Sequence, residues 1–376
     1  MMQLKPFQKH ALEALKSDPA HVLCIAPTGS GKSLIFERRI AENRQRTLLV
    51  TPLVALARQQ SANVQRHTEG RLRVTLGSGR PSEGPPAEGP GSWIVSPETL
   101  IHSGRKHALN AWRPDFLVVD ECHCLWEWGE NFRPAFAEIP KLVERFGIPR
   151  SLWLTATMPM AARMDLRKQL PPLIEIGEFD LPPFLDLQIE RVSWRERISK
   201  LVNWVQDQEG PGVVFAQTRD STERLCRVFH AMGESAVAYH AGLSQEERRA
   251  IEQSISKADM RVIIATSAFG MGMDHKHLRW VVLAQPPPSL LALTQAIGRA
   301  GRDLTQRSRA LIFWHEEDFR LLEWTIQGSE RRRSDLRDML DFFKTESCRR
   351  NLLRRYFEPL RQTSLKPCGH CDFCLH

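Results

Sequence analysis

The sequence predicts an α/β protein of two tandem parallel-sheet lobes followed by a small helical, cysteine-bearing module. Three observations point there. Two successive series of short apolar, β-branched runs alternate with helical stretches, two diproline steps lie between the series, and four cysteines gather at the C-terminus. Short continuous apolar runs suit strands buried on both faces, as in parallel sheets covered by crossover helices.

The first series comprises VLCIA (22–26), TLLV (47–50), WIV (93–95), FLVVD (116–120) and SLWLT (151–155). The second comprises GVVFA (212–216), SAVAY (235–239), RVIIA (261–265), WVVL (280–283) and RALIFW (309–314). Between them, LPPLIEIGEFDLPPF (170–184) carries prolines at 171–172 and 182–183, which forbid helix and favour an extended connector. The expected division is a first lobe at 1–178, a second at 179–330 and a C-terminal module at 331–376. Within the first lobe, GSGRPSEGPPAEGPGS (77–92) has no periodicity and reads as a mobile surface excursion.

Composition supports a folded chain: of 376 residues, 42% are apolar and 26% charged. No apolar run approaches the roughly 20 residues of a membrane span, and MMQLKPFQKH lacks a signal-peptide core. A cytoplasmic location without membrane contact is therefore expected. The net charge is +8, and residues 331–361 hold ten Lys or Arg against five Asp or Glu. Such a stretch either solvates a surface or binds a polyanion.

APTGSGKS (26–33) follows the VLCIA strand and opens a helical pattern, the context of a phosphate-binding loop. Thr28, Gly29, Ser30, Gly31, Lys32 and Ser33 form the expected nucleotide-binding set. The glycines let backbone N–H groups turn toward phosphate oxygens, and the helix N-terminus adds its dipole. Lys32 suits the β/γ-phosphates of ATP, and the Ser33 hydroxyl suits Mg²⁺.

FLVVDECH ends a strand at Asp120, placing its carboxylate at the C-terminal sheet edge where open α/β folds bind ligands. Asp120 suits a largely water-mediated Mg²⁺ contact, and Glu121 suits orientation or deprotonation of a water. Glu121 and His123 as zinc ligands are the alternative.

In the second lobe, ATSAFGMGMDH (265–275) precedes QAIGRAGRD (295–303). Arg299 and Arg302 lie three apart on what reads as one helix face. Arginines supplied from outside the phosphate loop are an expected means of stabilising charge in phosphoryl transfer. The ATP site is then expected in a cleft between the lobes, which hydrolysis would open and close.

The cysteines fall into two groups. Cys24, Cys122, Cys124 and Cys226 read as buried thiols. Cys348, Cys368, Cys371 and Cys374 follow C-x19-C-x2-C-x2-C, which suits a closed, structural tetrahedral Zn²⁺ site, with disulfides as the alternative.

Together these motifs resemble the RecQ family of superfamily 2 DNA helicases, from about residue 4 to residue 374. APTGSGKS is similar to motif I, TPLVALARQQ (51–60) to Ia, SPETL (96–100) to Ib, DECH to II and LTATMP (154–159) to III. VVFAQTRDSTERL (213–225), ATSAFGMGMD and QAIGRAGRD are similar to IV, V and VI. CLWEWGENFRPAF (124–136) resembles the aromatic-rich loop that couples single-stranded DNA contact to ATP hydrolysis in this family. Glu130 and Asn131 stand where members commonly carry His and Asp.

The resemblance implies RecA-like lobes and an ATP-dependent helicase moving 3′ to 5′ on single-stranded DNA. It implies catalytic roles for Lys32, Asp120, Glu121, His123, Gln295, Arg299 and Arg302, adenine reading by Gln8, and nucleotide contact by Asp274. Trp126, Trp128, Phe132 and Arg133 fall to DNA binding or coupling; a hydrophobic lid over the sheet is the alternative for these aromatics. ATP, Mg²⁺ and Zn²⁺ are the implied cofactors. Single-stranded and tailed or forked duplex DNA are the implied partners, and a nucleoid-associated monomer in DNA repair or recombination is the working expectation. The zinc module is expected to dock on the second lobe and offer arginines, Arg349 and Arg350 among them, to phosphates. A minimal form, lacking the winged-helix domain of many members, is the expectation, with a piece of a longer protein as the alternative. A strand-annealing ATPase that separates no strands, or an RNA helicase, are the rival readings.

Overall fold

A computed structural model describes residues 3–375 apart from 53, 78–83, 88, 102, 129–132, 258, 268, 270–276, 304, 326–328 and 361–365; side chains at 54, 55, 103, 104, 106, 128, 256 and 325 are also outside the description. The chain forms two compact units, Met1–Asp180 and Leu181–His376. Each is built around one parallel sheet.

In the first unit the strands are β1 (Ala20–Ile25), β2 (Arg46–Val50), β3 (Arg73–Gly77), β4 (Gly91–Val95), β5 (Phe116–Val119), β6 (Arg150–Thr155) and β7 (Leu173–Gly177). Their order across the sheet is β3-β4-β2-β5-β6-β1-β7. All six residues of β1 and all four of β5 are buried, as strands covered on both faces must be. One face packs Trp93, Phe136 and Trp153, and the other packs Phe36, Phe116 and Leu154.

The second unit contains β8 (Leu185–Arg191), β9 (Gly212–Phe215), β10 (Ala236–Tyr239), β11 (Val262–Ala265), β12 (Trp280–Leu283) and β13 (Ser308–Trp314), ordered β10-β11-β9-β12-β13-β8. Trp280, Phe229 and Phe313 anchor its core. Trp280 pairs with Gly212 across β12 and β9 and donates its indole N–H to the Gly210 carbonyl at 3.0 Å. A Cβ on Gly212 would fall 2.0 Å from the indole, so the glycine makes room for the ring.

The ten expected runs all occur as strands. β7 corrects the connector reading, since part of segment 170–184 pairs in parallel with β1, from His21↔Leu173 to Ile25↔Gly177. Part of the 77–92 segment lies outside the described residues, and its last residues, from Gly91, enter β4. Among the described residues no helix is long and apolar enough to cross a membrane.

Replacing Gly212 with Ala forces the Trp280 ring to move. A loss of about 1–3 kcal/mol is expected from this overpacking, read as a lower urea midpoint. An unchanged midpoint would show that the ring has room to shift.

Candidate functional site

The order β4-β2-β5-β6-β1 brings five C-terminal strand ends side by side along one edge. Beyond them lie Ser96–Glu98, Thr51–Pro52, Asp120–His123, Thr155–Thr157 and the 26–32 loop. Five separated motifs thus become neighbours because their strands all point the same way.

The loop after β1 turns through Gly29 and Gly31 at φ 75° and 86°, left-handed backbone that favours glycine. Lys32 Nζ donates to the carbonyls of Ala26 at 2.8 Å and Pro27 at 3.2 Å. Ser30 is buried, and Ser33 opens the helix Ser33–Asn43. Gln8, buried in the helix Pro6–Ala14, braces the loop by donating Nε2–H to the Gly31 carbonyl at 2.8 Å. Its Oε1 accepts from the Lys5 N–H at 2.8 Å. This amide therefore contacts the 26–32 loop itself.

Asp120 is buried at the end of β5. Its Oδ1 accepts from the Glu121 N–H at 3.0 Å, and its Oδ2 accepts from the Gln60 side-chain amide. Burial pushes the Asp120 carboxyl up to about 7; the Glu121 charge adds to the rise while Lys32 opposes it. A cation beside Asp120 would relieve that charge cost, so the donor set fits a hard divalent ion. Glu121 sits at φ 50°, a conformation costly for a non-glycine residue and common at functional turns.

His123 is fully enclosed, with Nδ1 3.2 Å from Thr155 Oγ1 and 3.3 Å from Glu121 Oε2. The Thr155 hydroxyl donates to the Thr157 carbonyl at 2.9 Å, so its lone pairs face the histidine ring and the Thr157 N–H. That assigns the shared proton to His123 Nδ1. LTATMP and DECH are therefore one hydrogen-bonded network.

Cys124–Trp128 is a short helix, with the Trp128 side chain outside the described residues, as are Gly129–Phe132. Trp126 is partly buried against the first unit's core, which favours the packing alternative for this ring. Arg133 forms a bidentate pair with Glu98 at 2.5 and 2.8 Å and donates to the Pro52 carbonyl at 2.9 Å. Its guanidinium also lies 4.8 Å from the Phe136 ring centroid. Burial raises the Glu98 carboxyl, but the bonds and charge of Arg133 outweigh it and hold the group below its ordinary value. Arg133 thus ties the aromatic segment to the segments after β2 and β4.

In the second unit, the helix Leu290–Ile297 stops before the arginines. Arg299 and Arg302 lie in the following turn and not on one helix face, which corrects the sequence expectation. Gly301 at φ 76° redirects the chain, and a Cβ there would come within 2.7 Å of Ser308 Oγ and 2.9 Å of Pro182 Cβ. Arg299 is buried, Gln295 is half-buried in the last helical turn, and Asp274 lies outside the described residues.

The Sγ atoms of Cys348, Cys368, Cys371 and Cys374 lie within 4.8 Å of one another. A tetrahedral site with Zn–S bonds of about 2.3 Å has sulfurs about 3.8 Å apart, so the set fits zinc with slight contraction. The chain around these cysteines docks on β8. Leu187 N–H donates to the His370 carbonyl at 2.8 Å, Leu187 bridges Cys371, and His370 Nδ1 lies 2.8 Å from Asp186 Oδ1.

Arg349 and Arg350 do not face phosphate, correcting the expectation for them. Arg349 donates to the Phe342 and Thr345 carbonyls at 2.7 and 2.6 Å. Arg350, also buried, donates to carbonyls of Leu181, Pro182 and Leu185 at 2.9–3.1 Å. Both guanidiniums hold backbone together.

Sequence reasoning gave no individual role to Gln60, Glu98, Thr155 or Thr157. For Gln60 a signal existed: it shares a buried helical stripe with Ala57, Ser61 and Val64, a place where an amide needs a partner.

Three family models match the chain: DEAD/DEAH box helicase over residues 5–166, helicase conserved C-terminal domain over 195–303, and RecQ zinc-binding over 316–375. The ATP-dependent DNA helicase RecQ of Pasteurella multocida is 30% identical over 94% of this chain and 57% of its own length. Its Haemophilus influenzae counterpart is 29% identical over 94% of this chain and 58% of its own length. The chain therefore spans somewhat over half the length of these curated relatives. Saccharomyces cerevisiae Dbp5 bound to RNA and ADP BeF3 matches with TM-score 0.68 at 18% identity, covering 86% of each chain, a likeness of fold.

Purified protein is expected to hold about one zinc per chain, and Cys371→Ser to lose it, as read by elemental analysis. Arg350→Met should cost more than about 2 kcal/mol in urea unfolding, because buried carbonyls lose charged donors. A cost near zero would mean that the carbonyls find other partners.

Proposed function

The chain belongs to the RecQ family of superfamily 2 helicases, and from that premise we propose an ATP-driven motor that moves 3′ to 5′ on single-stranded DNA and separates duplex strands. The observation that carries this reading is the meeting of the Lys32 loop, Asp120–His123 and Thr155–Thr157 on adjacent strand ends.

In this reading Lys32 binds the β/γ-phosphates, the loop N–H groups from Thr28 to Ser33 cradle them, and Gln8 reads the adenine while bracing Gly31. Ser33 and Asp120 would hold Mg²⁺, which supplies charge neutralisation at the phosphates when bound. Glu121 orients the attacking water, and its proximity to His123 connects that carboxylate to the Thr155–Thr157 turn. Arg299, Arg302, Gln295 and Asp274 of the second unit are proposed to serve the same triphosphate, the arginines offsetting charge as the phosphoryl group transfers.

Trp128 and Phe132 are proposed to meet unpaired bases, where aromatic faces stack without regard to sequence. In this reading Trp126 and Arg133 hold the segment that carries them. Trp126 packs on the core, and Arg133 anchors the segment to Glu98 and Pro52. Movement of the segment would thereby be felt at the ends of β4 and β2, beside Asp120.

The test is ATP hydrolysis with and without single-stranded DNA, alongside unwinding of a 3′-tailed duplex. Wild type should show DNA-stimulated hydrolysis and strand separation. Lys32→Ala should reduce stimulated hydrolysis at least about 100-fold, the scale expected for loss of a charge that stabilises the transition state. Stimulated hydrolysis without strand separation would instead favour an annealing or binding factor, and stimulation by RNA alone an RNA helicase.

A further inference from the structure

Gln60 lies on the helix Val54–His67 and is buried at 3% exposure. Its Nε2 donates to Asp120 Oδ2, while its Oε1 is buried without a hydrogen-bond partner. A buried amide oxygen left unpaired costs free energy, and such atoms mark places where a water or ion belongs. The other oxygen of Asp120 already accepts from the Glu121 N–H at 3.0 Å. Gln60 therefore fixes the rotation of the carboxylate and holds a spare acceptor beside it.

We propose that Gln60 is a positioning residue for the divalent-cation site: its amide N–H sets Asp120, and its amide oxygen accepts a hydrogen bond from a water carried by the cation. This rests on the reading that Asp120 serves Mg²⁺. Hydrated Mg²⁺ keeps several waters whose hydrogens need acceptors, and a neutral amide supplies one without adding a second negative charge next to Asp120. The choice of glutamine over an acid follows from that. An acid in this position would lose the donor that Asp120 Oδ2 uses and would repel it.

Equilibrium binding of a fluorescent non-hydrolysable ATP analogue, titrated with Mg²⁺ alone, tests the proposal without turnover. Gln60→Met keeps the length of the side chain and removes both amide functions. It should raise the Mg²⁺ concentration for half-maximal enhancement about tenfold, the scale of losing a partner that orients a metal's ligands, with analogue affinity in Mg²⁺-free buffer unchanged. Gln60→Glu at pH 8 keeps an acceptor oxygen but loses the donor that sets Asp120, so its midpoint should rise by about threefold, between wild type and Met.

A wild-type Mg²⁺ midpoint for Gln60→Met overturns the proposal. So does a midpoint for Gln60→Glu equal to wild type, which would make the donor irrelevant, or equal to Met, which would make the acceptor irrelevant. If Gln60→Met does not fold, the Gln60→Glu titration decides by itself. Asp120→Asn separates the two levels: a wild-type midpoint there removes the reading of Asp120 itself, whereas a lost Mg²⁺ response there with an unaffected Gln60→Met removes only the role of Gln60.

Discussion

Every strand pairing in the first unit's sheet is parallel, and the site follows from that constraint. A parallel sheet sends all its strand ends, and the loops that follow them, to one edge. Adjacent strands then place residues that are far apart in sequence next to each other. The arrangement concentrates charge in a poorly solvated place. Asp120, Glu121, His123 and Lys32 share that edge, and each charged or polar group has to be held by something. The loop carbonyls hold Lys32, the Glu121 N–H and the Gln60 amide hold Asp120, and Thr155 holds His123. The positive φ of Glu121 is the local backbone cost of turning the chain there.

Arginine does much of this holding, in ways that net charge does not reveal. A guanidinium carries five donors on a rigid plane, so it can satisfy several carbonyls that converge from different segments. Arg350 does this for the 181–185 segment, and Arg133 does it for Pro52 while pairing with Glu98. In the second unit, Arg197 and Asp318 form a buried bidentate pair at 2.8 and 2.7 Å. The basic character of the C-terminal region is thus partly internal scaffolding, and it overstates how much positive charge faces solvent.

The same physics decides what could be read from the sequence. Central strands such as VLCIA and FLVV are buried on both faces and stand out as unbroken apolar runs. The strands missed were β3 (RVTLG), β7 (LIEIG) and β8 (LDLQIER), each at a sheet edge and mixing apolar with polar residues. The glycine-rich 26–33 loop and the cysteine cluster were legible because the chemistry expected of each demands fixed residue types at fixed spacing. The arginines after Gln295 were placed on a helix because the helical period continues through them, whereas Gly298 and Gly301 end it by local backbone and packing preferences. The position of Gln60 on a buried helical stripe signalled that its amide needs a partner, but only the fold shows that the partner is Asp120, sixty positions away. Arg349 and Arg350 were misjudged because burial of a charge depends on carbonyls contributed by other segments.

β8 is an edge strand, and its outer side is occupied by Leu187's bond to His370 and its bridge to Cys371. A zinc ion held by the four thiolates would therefore do more than fold its own short segment; it would keep a cap seated on an open margin of the second sheet. Were the thiolates oxidised or the ion withdrawn, that margin would offer bare backbone donors and acceptors to any extended segment nearby, including the same strand of another copy. In that sense the four cysteines would guard a sheet margin as well as close their own loop.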